Sequence, residues 1–227
     1  MTPKKRKQYI YNFKQKAMTE IFDSLFGQYK TYETIDVILE IIAVIFGFLS
    51  VWFSTQNKIW VFPTGIISTI IFVYLLLKWG LLGDMMINAY YFIMSVYGWY
   101  IWTRKIDNTH FTPISKTTLK EKKISLLLFF GTLLFVFIIY KTFDKWTNWV
   151  AYIDTITTAI FFVGMWLMAK RKIENWLFWI VGDLISVPLY LYKEFTFTSF
   201  QYFGFTFIAI FGYLAWKKNL NKTQLTS

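Results

Sequence analysis

Three acids fall inside long apolar runs of this chain: Glu40, Asp154 and Asp183. A carboxylate in hydrocarbon is costly unless something pairs or hydrates it, so each is a candidate for handling a solute or an ion. Asp183 stands out because it belongs to a face. Trp176, Trp179, Asp183, Val187 and Tyr190 follow at three- or four-residue steps, the spacing of one helical stripe. Asp84, Asn88, Tyr91, Ser95, Trp99 and Trp102 form a second stripe, and Gln201 and Tyr202 add polar groups on a third segment. Aromatic planes stack on a flat ring and attract a cation through their quadrupole. Amides and phenols suit ribose hydroxyls or a carboxamide. The competing reading is structural, with rings at the membrane interface and hydrogen bonds between helices. It fits Trp102 and Trp176, at the ends of their segments, best. Glu40 and Asp154 equally fit acids satisfied by helix ends or Tyr hydroxyls, fixing how helices pack.

Other chemistries lack their residues. The chain has no cysteine, and its one histidine, His110, sits in a polar linker. Thiolate catalysis and a Cys-type metal site are therefore excluded, and a His-based site is not expected. No nucleophile elbow, phosphate-binding glycine loop or HExxH pattern occurs, so neither an enzyme, a cofactor nor direct ATP coupling is expected. The net charge of +11 invites a nucleic-acid reading. Its cations cluster at the ends of apolar runs, as in the cytoplasmic loops of membrane proteins, and no nucleic-acid partner is expected.

The elements that must position these stripes are membrane helices. Hydrophobic residues make up 56% of the chain and charged ones 16%, against roughly 25% charged in a soluble domain. Seven apolar segments occur at about 34–53, 60–77, 81–102, 124–140, 148–168, 174–192 and 197–216. Trp52, Trp60, Trp79, Trp102, Trp146, Trp149 and Trp216 lie at their ends, as an interfacial belt requires. Residues 1–33 form a basic tail followed by an amphipathic helix with Tyr9, Phe13, Ala17, Ile21, Leu25 and Tyr29 at four-residue spacing. With seven spans, thirteen Lys and Arg fall on one side and four on the other, which puts the C-terminus in the cytoplasm. The cations of the first 33 residues favour a first helix that also crosses, bringing both termini inside.

Shifting the chain by 114 residues aligns Glu40 with Asp154, Trp52 with Trp166, Gly98 with Gly212, Trp99 with Tyr213, Trp102 with Trp216 and Arg104 with Lys218. Elsewhere the offset drifts, pairing Trp60 with Trp176 and Lys78 with Lys193. Three helices are an odd number, so a directly joined second copy would be inverted. Segment 124–140 has no counterpart, and inserting it restores the direction. The expected fold is therefore all-α and integral to the membrane. A seven-helix 3+1+3 core carries two parallel three-helix repeats, with an extra N-terminal amphipathic helix. Its regions are 1–33, a first repeat at 34–102, a linker with a connecting helix at 103–147, a second repeat at 148–218 and a tail at 219–227. Such repeats place a solute site near the midplane, and Pro63 and Pro188 in the middle helices are the expected hinges.

The runs NAYYFIMSVYGWYIW (88–102), ENWLFWIVGDLISVPLYLYK (174–193) and QYFGFTFIAIFGYLAW (201–216) resemble the PnuC family of bacterial nicotinamide riboside transporters. LEIIAVIFGFLSVW (39–52) and NKIWVFPTG (57–65) resemble it too. The resemblance spans residues 34–218 and implies a 3+1+3 arrangement like that of the SWEET sugar transporters. It implies import of nicotinamide riboside across the inner membrane by facilitated diffusion, with a cytosolic kinase trapping the product. It also implies a homo-oligomer of trimeric type in the bilayer. Trp176, Trp179, Asp183, Asn88, Tyr91 and Gln201 fall in the matched motifs and would surround ring and ribose. Relatives for thiamine and riboflavin leave another vitamin, or a sugar, as the alternative cargo. A membrane-embedded enzyme acting on lipid is the reading from another class.

Overall fold

The computed structural model describes residues 32–80, 82–104, 112–144, 149–192 and 196–225, with residues 6, 9, 11–16 and 18–20. Beyond residue 33 these form seven helices: α1 (Thr34–Thr55), α2 (Val61–Lys78), α3 (Leu82–Thr103), α4 (Leu119–Thr142), α5 (Trp149–Ala169), α6 (Asn175–Tyr192) and α7 (Thr196–Leu225). Six begin within a residue of the expected segments, because hydropathy and helix start together where a short loop turns back into lipid. The exception is α4, which starts at Leu119 on a capping box. The Thr118 hydroxyl accepts from the Glu121 amide while Glu121 reaches back to the Thr118 amide. Capping chemistry, not apolarity, sets that boundary. At the other extreme α7 runs to Leu225, through residues 219–225 that were expected to be a tail. No glycine or proline stands there to stop it.

On length and composition α1, α2, α4 and α5 are apolar enough to cross a membrane. The remaining helices carry the polar stripes, which lowers their mean hydropathy. The chain divides into two compact units, Met1–Ile42 and Ala43–Ser227. In the first, the described residues between 6 and 20 are helical and exposed, with Lys16 and Glu20 3.9 Å apart one turn on. Asp36 occupies the first turn of α1, where an acid complements the helix dipole. The expected crossing of the N-terminal helix, His110 and Trp146 lie outside the described residues.

Within the second unit contacts recur at an offset of 114. The α1 and α5 helices end in the same turn, with Asn57 (φ 56°) and Arg171 (φ 57°) in left-handed backbone. In each the amide after the helix end reaches back, from Lys58 to Phe53 and from Lys172 to Leu167. The Trp102 indole donates to the Met168 carbonyl at 3.3 Å and the Trp216 indole donates to the Ser54 carbonyl at 2.9 Å. Phe62 stands edge-on to Trp102, and Trp176 edge-on to Trp216. Both crossings need a glycine. A Cβ at Gly98 would lie 2.3 Å from the Phe62 ring, and one at Gly212 would lie 2.5 Å from Trp176. These contacts match Phe62, not Trp60, with Trp176, so the apparent drift in the offset is absent here.

The same contacts correct the aromatic belt. Trp102, Trp176 and Trp216 are 3%, 2% and 0% exposed and form the core, although composition placed all three at the interface. Trp52, Trp60 and Trp149 are exposed, as a belt requires. An indole at a helix end reads alike in either role until a neighbouring glycine lets it turn inward.

Three connections meet at one end of this unit. The Arg171 guanidinium donates to Asn57 Oδ1 at 2.8 and 3.0 Å and to the Thr112 carbonyl, and it lies 4.4 Å over the Trp102 ring. Burial pulls Arg171 down to about 10, so it is still cationic at neutral pH. Ser115 and Lys172 pair as a short parallel bridge, and the Thr117 amide donates to the Glu174 carboxylate at 3.0 Å. Lys172 also bonds Glu121 at 3.0 Å. Residues 112–118 are thus tied down along the α5–α6 turn. Trp216 belongs to this end and stands about 30 Å along α7 from Thr196, by the helical rise. The start of α7 is therefore at the far end, where Trp149 packs on Tyr192.

Candidate functional site

A cavity of about 340 Å3 opens between α1, α2, α3, α5, α6 and α7, all of its lining residues lying after Ile42. Of the residues expected to bind a solute, Trp176, Trp179 and Asp183 reach it from α6, Asn88 and Tyr91 from α3, and Tyr202 from α7. The helical spacing explains this, since residues three or four apart on α3 and α6 share the inward face. Tyr190 does not line the cavity but backs Tyr202, with ring centroids 5.1 Å apart and a hydrogen bond between the phenols. Gln201 is exposed and outside it. Next to Tyr202 on the helix, it points some 100° away. Glu40 and Asp154 are not among the lining residues either.

The two prolines differ. Pro63 is the third residue of α2, in its first turn, where the missing amide costs no helical bond. Pro188 is interior to α6 and removes the amide that would have bonded Leu184. The neighbouring Val187 carbonyl accepts the Ser199 hydroxyl from α7 at 2.8 Å.

Rings dominate one wall. Trp179 stacks on Phe161 at 5.4 Å, Phe161 on Tyr202 at 6.1 Å, and Tyr91 stands 6.4 Å from Trp179. Asp183 lies among them, 3% exposed. Among the described residues no lysine or arginine lines the cavity, and the one formal charge of that lining is an acid. Trp176 forms a floor, its indole turned onto Trp216 and Gly212. Asn88 Nδ2 donates to the Asp84 carbonyl of its own helix at 3.0 Å, which leaves its amide oxygen to accept.

The opposite wall, apart from Ser95 of the α3 stripe, was not read from the stripes. It consists of Gly47, Ser50, Ser54, Gly65, Ser68, Thr69 and Ser95. The signal for it was the 114-residue shift, applied to side chains already chosen. Lining residues fall into pairs at that offset: Gly47 with Phe161, Val51 with Met165, Ser54 with Met168 and Gly65 with Trp179. Thr69 with Asp183, Asn88 with Tyr202, Tyr91 with Phe205 and Ser95 with Ala209 complete the set. Shifting Tyr91 forward and Trp179 and Asp183 backward would have named Phe205, Gly65 and Thr69. Among the described residues no cluster of His, Cys, Asp and Glu has the makings of a metal site.

Comparisons with known proteins agree with this architecture. A family model described as nicotinamide mononucleotide transporter matches residues 37–218. The nicotinamide riboside transporter PnuC of Haemophilus influenzae is 27% identical over 199 residues, 85% of this chain and 84% of the relative. The PnuC of Escherichia coli (strain K12) is 23% identical over 205 residues, 78% of this chain and 84% of the relative. The riboflavin/roseoflavin transporter RibM of Streptomyces davaonensis is 22% identical over 184 residues, 78% and 83% of the two chains. A crystal structure of the vitamin B3 transporter PnuC superposes with a TM-score of 0.61 at 20% identity, covering 89% of this chain and 88% of that one, which shows the shared fold. An all-helical membrane core with a ring-lined cavity, matched over four-fifths of its length, is thus placed: the chain belongs to the nicotinamide mononucleotide transporter family, that of the PnuC membrane transporters.

Proposed function

We propose that this chain imports nicotinamide riboside across the bacterial cytoplasmic membrane by facilitated diffusion. The observation that carries the reading is a cavity where Asp183 is the only formal charge among the described lining residues and its neighbours are Trp179, Phe161, Tyr91 and Tyr202. Nicotinamide riboside holds its positive charge in a flat pyridinium ring. Such a ring gains from aromatic faces and from a carboxylate, both more strongly in a site that excludes water. Trp176, Trp179, Asp183, Tyr91 and Tyr202 take the ring, and the Asn88 amide oxygen takes a hydroxyl or the carboxamide. Tyr190 positions Tyr202, and Gln201 stays outside. A mononucleotide fits less well despite the family description, because its phosphate would face Asp183 with no cation in the lining.

The relatives favour a second cargo, riboflavin, through RibM. About 340 Å3 lies at the low end for ligand pockets, which suits one ring and a sugar better than three fused rings. A thermal-shift screen of the purified protein against nicotinamide riboside, riboflavin, thiamine and glucose separates them, since a ligand stabilises only the state it binds. Stabilisation by riboflavin alone would overturn the riboside reading.

The mechanism we propose is alternating access between two parallel repeats, 34–102 and 148–218, with α4 inside the 103–147 linker and 219–227 beyond. Its support is the set of contacts repeated at offset 114, including reciprocal Trp102–Met168 and Trp216–Ser54 bonds, which a two-fold axis along the membrane normal generates. The cavity sits on that axis. The Arg171–Asn57–Thr112 tie and the paired tryptophans close one end in this state. The charge bias assigns that end, and the C-terminus, to the cytoplasm. Pro188 is the remaining hinge. Glu40 and Asp154 then serve packing, so no proton is needed. A cytosolic kinase that phosphorylates the riboside would keep uptake running downhill, and a homotrimer is the assembly we expect.

A further inference from the structure

We infer that Ser95, with Gly65 and Ser50, forms a hydroxyl-reading niche that selects the sugar end of the cargo. This rests on the riboside reading above. Where α6 puts the Trp179 indole into the cavity wall, α2 has Gly65 at the matching position and puts no side chain there. Two hydroxyls take that place in the wall. A Cβ built on Gly65 would lie 3.0 Å from Ser50 Oγ and 3.3 Å from Ser95 Oγ, so both hydroxyls flank the bare Gly65 backbone in the cavity lining.

The two differ in what they have left to offer. Ser50 Oγ donates to the Val61 carbonyl at 2.7 Å and keeps its lone pairs. Other hydroxyls of this wall are committed too: Ser68 to the Ala43 carbonyl at 2.8 Å, Thr69 to the Gly65 carbonyl at 2.7 Å, and Ser54 to the Met168 sulfur at 3.4 Å. Ser95 is 3% exposed, lines the cavity, and its hydroxyl has no hydrogen-bond partner among the described residues. A hydroxyl that lines the cavity without a protein partner is open to a group of the cargo that bonds it. One uncommitted donor and acceptor beside one acceptor suits a cargo hydroxyl, and a vicinal diol could engage both. A bare heteroaromatic base has nothing to place there. Opposite, at offset 114 from Ser95, stands Ala209, so the niche exists on one side only.

The test is calorimetry on the full-length protein with nicotinamide riboside and its 2′-deoxy and 3′-deoxy analogues. Wild type should prefer the riboside over at least one deoxy analogue. In Ser95→Ala, riboside affinity should fall about three- to tenfold, the worth of a neutral hydrogen bond, while that analogue binds as before. Gly65→Ala places a methyl in the niche and should weaken the riboside more than Ser95→Ala does. If it fails to fold, Ser95→Ala still decides. Equal weakening of riboside and deoxy analogues by Ser95→Ala, or no change in either, overturns the niche and leaves the transport reading standing. Absence of riboside binding by wild type overturns both.

Discussion

The closed end of the helical core and the cavity above it obey opposite rules. At the closed end, positions 114 apart keep their role: Trp102 and Trp216 donate to matching carbonyls, and Gly98 and Gly212 admit matching rings. In the cavity the same offset pairs unlike chemistry, Gly65 with Trp179, Thr69 with Asp183 and Ser95 with Ala209. A repeat that must close on itself retains side chains that fit their own image. A repeat that must hold a molecule with a charged ring at one end and hydroxyls at the other gains by making its two faces different. Symmetry belongs to the scaffold and asymmetry to the cargo.

Breaking the asymmetry should have the largest effect. Asp183→Asn removes the acid of the cavity lining and should weaken riboside binding by about 2–5 kcal/mol, the range for losing one partner of a buried charge pair. Calorimetry checks it, and unchanged affinity would mean that the cation is held elsewhere. Trp179→Ala, which makes the α6 side resemble the Gly65 side, should cost about 1–3 kcal/mol of stacking in the same assay.

Breaking the symmetry should act on folding and motion rather than on recognition. Gly98→Ala and Gly212→Ala each press a methyl into a ring and should each lower stability by about 1–3 kcal/mol, read as melting temperature in detergent. Similar losses at the two sites are expected, and a loss at one alone would sharpen the picture by showing that one half bears the closure. Arg171→Ala unties three connections at once. In a chain without native cysteine, Ser54→Cys should then react faster with a small soluble maleimide than it does with Arg171 intact. An unchanged rate would remove the tie from the gate. Gln201→Ala, beside the site but facing away, should leave binding within about twofold, as surface changes do.

The helices were legible because lipid admits few alternatives: a segment without water must bond its own backbone, and apolar length shows where it does. Misplaced ends came from causes other than hydropathy, a capping box at Thr118 and the missing stop after Trp216. The stripes on α3 and α6 named Asn88, Tyr91, Trp179 and Asp183, since a polar residue on an apolar helix needs a polar place to face. Gln201 does not line the cavity because its neighbour Tyr202 holds the inward position, and sequence adjacency does not fix helical phase. Apart from Ser95, the serine and glycine wall was missed because small residues carry little signal alone. Gly65 becomes informative only opposite Trp179.

By itself the sequence determined the medium, the helical segments after residue 33 and the 114-residue repeat, all of which depend on composition and spacing along one chain. Only the tertiary structure decided which tryptophans turn inward, which acid faces the cavity, and which hydroxyl is left without a partner. Those depend on what stands across from each residue. That partner comes from another helix, 40 positions along the chain for Trp176 on Trp216 and 162 for Trp216 on Ser54, brought near by close approach at a few glycines.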